Sequence, residues 1–343
     1  MKKRVLHLLA SNCYSGAENV VCTIINNCSD KYDMYYCCPE GPVSKILQEK
    51  GIKYISLKKL RPRFVRSACK KYNIDMIHAH DYKASFCAAA SNFKGKIISQ
   101  LHVNYDFASK WNIYTLVYRL IMNRFTKIIV VSKEIVDSAV FAKSNREKFQ
   151  IITNVVDKEN VKVKSEKFKT DFYDLIFVGR LTMVKNPEKV IEITRILKNK
   201  YPKIKTCIIG AGELEENCKK MIKDGDLDKN IDMLGFLSNP FPYIKNSKIA
   251  LLPSDHEGLP MSVIECMILG VPVLNSGVDG MATLFKDYPD FVCNEIDDYC
   301  KMIDLILSKK KELSKMCNKI ITGAVDIKMY RNRWLNLYSE VLK

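Results

Sequence analysis

The stretch Asp255-His256-Glu257-Gly258-Leu259-Pro260-Met261-Ser262-Val263-Ile264-Glu265 carries two carboxylates with seven residues between them. Pro260 suits the first turn of a helix. Glu265 then stands roughly 7–8 Å further along the axis, at 1.5 Å rise per residue. Two carboxylates so placed can grip two hydroxyl-bearing parts of one long ligand. The unsatisfied N–H groups of the helix start between them suit phosphate or sugar oxygens. The plainer alternative makes Glu257 a helix-start carboxylate and Glu265 a solvated side chain. Against it, Glu265 lies within Val263-Ile264-Glu265-Cys266-Met267-Ile268-Leu269, where a charge is costly without a partner or ligand.

A second group is Gly179-Arg180-Leu181-Thr182-Met183-Val184-Lys185-Asn186-Pro187, directly after an apolar run. A forked guanidinium with a nearby ammonium is how proteins hold a diphosphate. A third is Ser11-Asn12-Cys13-Tyr14-Ser15-Gly16-Ala17-Glu18, where Gly16 lets a ligand approach the backbone and the following helix start favours an anion. With one glycine it is not a dinucleotide loop. Of the five histidines, His78 and His80 bracket the end of a predicted strand and His102 ends the next. His80 and His102 are expected to point towards one cleft edge, while His7 is read as structural. Their spacing is not that of a metal site, and no metal is expected. No Ser-His-Asp or Cys-His arrangement is argued by spacing.

These groups need elements to hold them. Strands are predicted at Val5–Leu9, Met34–Cys38, Met76–Ala79, Ile97–Leu101, Ile128–Val131 and Gln150–Ile152, with helical stretches between. After a polar, lysine-rich segment, Asp157 to Asp171, the pattern restarts at Asp174. Further strands are predicted at Thr206–Ile209, Ile231–Leu234, Ile249–Leu252, Val271–Leu274 and Phe291–Cys293. The alternation is that of α/β structure with parallel sheets. It divides into residues 1–165 and 166–324, with a terminal amphipathic helix, about 325–343, returning to the first domain. In open parallel sheets ligands bind beyond the carboxyl ends of the strands, so two such domains would face each other across a cleft.

Composition sets the class. The 343 residues are 47% hydrophobic and 27% charged, which excludes disorder, collagen and coiled coil. No run approaches the length of a membrane span. Met1 to Ala10 begins like a signal peptide, but its apolar run is short and polar residues follow at once, so a buried first strand is expected. The 13 cysteines show no C-x-x-C pair and read as scattered thiols in a reducing compartment. Residues 1–165 hold 28 Lys+Arg against 13 Asp+Glu, or +15, whereas residues 166–343 hold 27 against 25, or +2. The densest run is Lys58-Lys59-Leu60-Arg61-Pro62-Arg63-Phe64-Val65-Arg66, continuing to Lys70-Lys71. Apolar and aromatic residues interleave with this charge, which favours an anionic membrane surface. No signature supports nucleic-acid binding. A plain solvated face stays open as the alternative.

Glu257 to Glu265 resembles the E-x7-E signature of family 4 retaining glycosyltransferases, which have the GT-B fold. Ser15-Gly16-Ala17-Glu18 resembles that family's glycine-rich first loop, and Asp75-Met76-Ile77-His78-Ala79-His80 its strand ending in H-x-H. Phe177-Val178-Gly179-Arg180 with Lys185-Asn186, then Ile209-Gly210-Ala211-Gly212, Leu234-Gly235-Phe236 and Gly270-Val271-Pro272-Val273, follow in the family's order. Ser15 stands where the family has a glycine, Val155 replaces the glycine of N-G-V-D, and Val278-Asp279-Gly280-Met281 lacks the usual double glycine.

The resemblance implies a retaining, metal-independent hexosyltransferase that uses a nucleotide-diphosphate sugar, UDP- or GDP-linked, and no cofactor. It implies that Arg180 and Lys185 bind the diphosphate and Glu265 the ribose. Glu257 would hold sugar hydroxyls, and Gly235 and Phe236 would border the base. Gly258, Leu259, Pro260 and Met261 line the donor site, Gly16 lets the diphosphate pass, and His102 sits by the donor sugar. Glu257, His102, Arg180 and Lys185 form the catalytic set. With the basic first domain, the expected acceptor is a lipid-linked saccharide of capsule, O-antigen or exopolysaccharide assembly, at the inner face of the plasma membrane. The rivals are a nucleotide-sugar epimerase of the same architecture, which needs no acceptor, and a non-catalytic nucleotide-sugar binder.

Overall fold

A computed structural model describes residues 2–14, 16–103, 105–143, 145–257, 260–278, 280–322 and 325–343. Apolar runs with few charges become buried parallel strands, and the amphipathic stretches between them become helices. The chain divides into two units, Met1–Val155 with Ile327–Lys343, and Val156–Asp326.

The first unit holds strands β1 (Arg4–Leu8), β2 (Asp33–Pro39), β3 (Tyr54–Leu57), β4 (Met76–His80), β5 (Lys96–Leu101), β6 (Lys127–Val130) and β7 (Phe149–Ile151). They form one sheet in the order β3-β2-β1-β4-β5-β6-β7, and every pairing is parallel. Helices α1 (Gly16–Cys28), α2 (Val43–Glu49), α3 (Pro62–Lys71), α4 (Asp81–Ala90), α5 (Ile113–Ile121) and α6 (Lys133–Ser138) connect them.

The second unit holds α7 (Lys158–Ser165), β8 (Tyr173–Val178), α8 (Pro187–Lys198), β9 (Thr206–Ile209), α9 (Glu215–Asp224), β10 (Ile231–Met233), α10 (Phe241–Lys245), β11 (Ser247–Leu252), α11 (Met261–Ile268), β12 (Val273–Asn275), α12 (Gly280–Leu284), α13 (Ile296–Leu307) and α14 (Cys317–Ile320). Its sheet runs β10-β9-β8-β11-β12, again all parallel. The last helix, α15 (Ile327–Val341), packs on α1 of the first unit. Trp334, Leu337 and Tyr338 are buried there, and Arg331 forks onto Asp30 at 2.9 and 2.7 Å.

Three expectations need correction. The division falls at Val155–Val156, not after Ser165. The polar segment expected to be a linker forms α7, whose Val161 is buried in the second core, while Asn239 Nδ2 donates to the Lys164 carbonyl at 3.0 Å. Phe291–Cys293 is no strand: Pro289–Phe291 is a 3-10 turn, and one bridge joins Asn275 to Val292. The basic run after Lys58 contributes a helix, α3, because Val65, Ala68 and Cys69 recur at helical spacing and are buried among its cations. All thirteen thiols are free, twelve of them buried or half-buried. Burial pushes Cys22 and Cys38 up to about 11, far from a reactive thiolate.

Candidate active site

The second unit's strands end in glycines that let neighbouring backbones meet. A Cβ on Gly210 would lie 1.8 Å from the Gly179 carbonyl oxygen, and one on Gly212 would lie 2.3 Å from that of Leu181. Gly179 N donates to Ile209 O at 3.0 Å, Leu181 N to Ala211 O at 3.0 Å, and Gly210 N to Gly235 O at 2.9 Å. The ends of β8, β9 and β10 are thus stitched into one rim. On it stand Arg180, exposed, and Phe236, 50% exposed, directly after Gly235, whose φ of +66° favours glycine.

Beside that rim, the loop after β8 carries Lys185 back towards β11. A 3-10 turn, Met183–Lys185, leads to Asn186 in the left-handed region and Pro187 at the first position of α8. Asp255 N donates to Val184 O at 2.9 Å, joining this loop to the one after β11. Across that junction the Lys185 ammonium donates to Oε1 of Glu257. Both side chains are largely withdrawn from solvent, at 19% and 6% exposure. Ser254 Oγ donates to the same oxygen at 2.8 Å, and the Glu257 carbonyl accepts from Gly280 N at 3.2 Å. Buried carboxylates persist only with such partners.

Helix α11 begins at Met261, with Pro260 buried at its N-cap in extended geometry. Val263, Ile264, Cys266 and Met267 are buried, but Glu265 is half-exposed. The apolar context that made its charge look costly belongs to the other faces of the helix. Gly258 and Leu259 lie outside the described residues. So Arg180, Lys185, Gly235, Phe236, Glu257, Pro260, Met261 and Glu265 all belong to the strand-end loops and helix start of one sheet.

Gly16 and His102 belong to the first unit. Gly16 opens α1, and a Cβ built on it would meet nothing within 4 Å. His102 is 7% exposed and its backbone N–H donates to Asp81 Oδ1 at 3.1 Å. The expectation that His80 and His102 point together to an open edge needs correction. His80 is buried and bonds His102 Nε2 through Nδ1 at 2.9 Å, and His7 Nδ1 through Nε2 at 3.1 Å. A neutral His80 donates through one nitrogen and accepts at the other, so the chain has a single polarity. His78 Nδ1 bonds the Tyr338 hydroxyl at 2.9 Å. Burial holds His7 down at about 3 and lowers His78, His80 and His102. Nitrogens of His7, His78 and His80 lie within 4.8 Å of one another, a spacing that could admit a cation. Both nitrogens of His80 are instead committed to neighbouring rings.

With this geometry in hand, comparison with known proteins is decisive. Residues 157–324 match the family described as glycosyl transferases group 1, and residues 14–160 match glycosyltransferase family 4. The chain belongs to the family 4 type of glycosyltransferases. A Staphylococcus aureus capsular polysaccharide biosynthesis glycosyltransferase, CapH, is 25% identical to this glycosyltransferase over 91% of the chain and 92% of the relative. An Escherichia coli UDP-Gal:α-D-GlcNAc-diphosphoundecaprenol α-1,3-galactosyltransferase is 26% identical over 74% of the chain and 72% of the relative. The crystal structure of Anabaena HepE in complex with UDP-glucose superposes with a TM-score of 0.82 at 17% identity, covering 98% of this chain and 99% of that one. The glycosyltransferase therefore has the GT-B fold, two α/β domains each on a parallel sheet.

Sequence reasoning missed several residues that shape the enzyme's site. Ser254 precedes Glu257 by three positions and no pattern marks it. Asp81, directly after H-x-H, has φ +65° and holds the His102 backbone. Asn275, fully buried, accepts from Gly277 N at 2.8 Å and donates to Phe291 O at 2.9 Å, fixing the loop after β12.

Proposed function

We propose that this glycosyltransferase is a retaining, metal-independent hexosyltransferase. It moves a sugar from a UDP- or GDP-linked donor to a lipid-linked saccharide in capsule, O-antigen or exopolysaccharide assembly. The work is done at the cytoplasmic face of the plasma membrane, against an anionic surface. The observation that carries this reading is the Lys185–Glu257 ion pair beside exposed Arg180 on a glycine-cleared strand rim. Donor binding exchanges partners: Lys185 turns from Glu257 to the diphosphate with Arg180, and Glu257 then accepts from hydroxyls of the sugar. Glu265 takes the ribose hydroxyls, and Gly235 and Phe236 border the base. The start of α11, at Met261 and Ser262, offers N–H groups. Gly16 leaves room at the start of α1. His102, neutral and with Nδ1 lacking a hydrogen-bond partner, is suited to a sugar hydroxyl.

The acceptor oxygen attacks the anomeric carbon on the leaving group's own face. The bond from that carbon to the diphosphate oxygen breaks as the new glycosidic bond forms, and the acceptor proton passes to the departing diphosphate. Fixed cations stabilise the charge that grows there, which supports a reaction without a divalent ion. The galactosyltransferase relative, named for UDP-Gal and a diphosphoundecaprenol-linked acceptor, supports the donor and acceptor classes. The +15 against +2 charge asymmetry supports the membrane surface. Among the described residues no helix is long and apolar enough to cross a membrane. A thermal-shift panel of UDP, GDP, ADP and their sugars tests the donor. The true donor raises the melting temperature by mass action, stabilising the fold by about 2.7 kcal/mol at a hundred times its Kd. Product NMR then shows retained anomeric configuration with EDTA present. Lack of stabilisation by every nucleotide, or an inverted product, overturns the reading.

A further inference from the structure

Helix α5 carries apolar residues on its outer face as well as its inner one, unlike an ordinary surface helix. Its polar Thr115 and Tyr118 point inward, and the Tyr118 hydroxyl meets Ser99 Oγ at 2.7 Å. Its apolar residues face outward: Ile113 is 66% exposed, Leu116 49% and Leu120 78%, at i, i+3 and i+7 on one stripe. Tyr114 at 66% and Trp111 at 56% extend it. The stripe is held firmly. Asn112 Oδ1 accepts from the N–H groups of Tyr114 and Thr115 at 2.9 and 3.1 Å, and Asn112 N donates to Thr115 Oγ1 at 2.8 Å, a full capping box. Water-exposed apolar clusters on a rigid element mark a surface that meets something apolar.

The surroundings say what. Helices α3, α4 and α5 pack side by side. Residues 54–127, which contain them, hold 14 Lys+Arg and 3 Asp+Glu, so +11 of the chain's +17 lies here. No carboxylate occurs between Tyr54 and Ile74, nor between Phe107 and Lys133. Arg63, Arg66 and Lys70 on α3 and Lys110 before α5 are exposed. Apolar side chains with Trp and Tyr, on a helix layer that also carries exposed cations, match the boundary between acyl chains and anionic headgroups.

We infer that the outward stripe of α5 inserts into the headgroup region of an anionic bilayer, while the cations of α3 hold the surrounding phosphates. This rests on the membrane reading given above and names the element that performs it. Because α5 follows the loop after His102 in sequence, the inserted helix would keep a lipid-linked acceptor near that end of the sheet.

The chain supplies its own probe. Its two tryptophans are Trp111, exposed, and Trp334, fully buried. On adding vesicles of phosphatidylglycerol and phosphatidylcholine, Trp111 emission shifts to the blue and is quenched by brominated acyl chains, while Trp334 stays constant. Leu116→Asp with Leu120→Asp lowers partitioning on the order of tenfold. Its melting temperature and the stabilisation it gains from UDP stay unchanged. Vesicle binding without a blue shift, or binding unaltered in the variant, overturns insertion and leaves a purely electrostatic attachment. Absence of all vesicle binding overturns both. A lipid-free, concentration-dependent dimer that shields Trp111 assigns the stripe to a second copy and also overturns it. UDP stabilisation is read separately, so the donor reading stands or falls alone.

Discussion

The two sheets share one architecture and treat their strand ends in opposite ways. In the first unit, the strand ends at β4 and β5 are filled with buried imidazoles bonded to one another and closed by α15. In the second, the strand ends at β8, β9 and β10 are cleared by glycine and carry an exposed guanidinium and an exposed ring, with a largely withdrawn ion pair between the loops after β8 and β11. The contrast teaches where polar groups are structural and where they are held for a ligand. A buried polar group whose partners are permanent neighbours stabilises the fold. One whose partner is a second charge on an open loop rim is, on the proposed function, poised to exchange it.

The largest effect that tests this contrast is on catalysis. Lys185→Ala and Glu265→Ala should each lower kcat/KM by about 10²–10³-fold, measured by transfer of labelled sugar. Turnover within a few-fold of the parent in either would dissolve the ligand-binding side of the comparison. For Lys185→Ala, adding Glu257→Gln should recover melting temperature lost to the unpaired carboxylate without recovering activity.

Next comes the closed side. Trp334→Ala removes a fully buried indole and should cost about 3–5 kcal/mol in denaturant unfolding. Tyr338→Phe, which strips His78 Nδ1 of its partner, should cost about 1–3 kcal/mol. A loss confined to activity in either variant would mean that His78 and the rings behind it act in catalysis rather than in closing the fold.

A smaller effect is on pH. Burial depresses the four histidines, His7 to about 3, so the folded state binds fewer protons than the unfolded state below the ordinary histidine value of 6.5. Stability is therefore full above pH 6.5 and falls as pH drops from there towards 3. Unfolding free energy measured at pH 7.5, 6 and 5 should decline steadily, and His7→Asn should flatten the slope. A flat profile in the parent would show that the imidazoles are not held neutral.

The smallest effect separates the glycines. Gly16→Ala should leave the melting temperature within about 1 °C of the parent, since a Cβ there meets nothing. Its effect should appear in the KM for donor. Gly210→Ala forces a methyl against the Gly179 carbonyl and should lower the melting temperature. Equal effects from both would erase the distinction between a cleared site and a packing contact.

Much of this was legible in the sequence. Continuous apolar runs such as Leu175–Val178 and Thr206–Ile209 can only be central parallel strands, and both form. The pairing of Lys185 with Glu257, and Arg180's place on the strand rim beside their loops, followed from their places after strands. Less could be read where tertiary context decides. Edge strand β3 is four residues long and half its side chains are not buried, so no period-two signal rises above the basic run that follows. Strand β12 begins at Val273, two residues later than its apolar run suggests, because Gly270 turns with φ +78° and Pro272 carries no N–H for the ladder. The partner of His80 is set by β5 and β1 lying beside β4, and no local pattern encodes which rings will touch. Nor does sequence show that α5 faces outward, since Ile113, Leu116 and Leu120 have the same spacing as a core stripe.

One consequence follows from α15. The first unit is completed by residues 327–343, while the second is continuous from Val156 to Asp326. During synthesis every residue of the second unit is thus made before the first unit receives Trp334 and Tyr338. The first unit therefore cannot be completed ahead of the second, against the usual amino-terminal-first order. A purified chain ending at Asp326 should hold a protease-resistant rear half and a digestible front half.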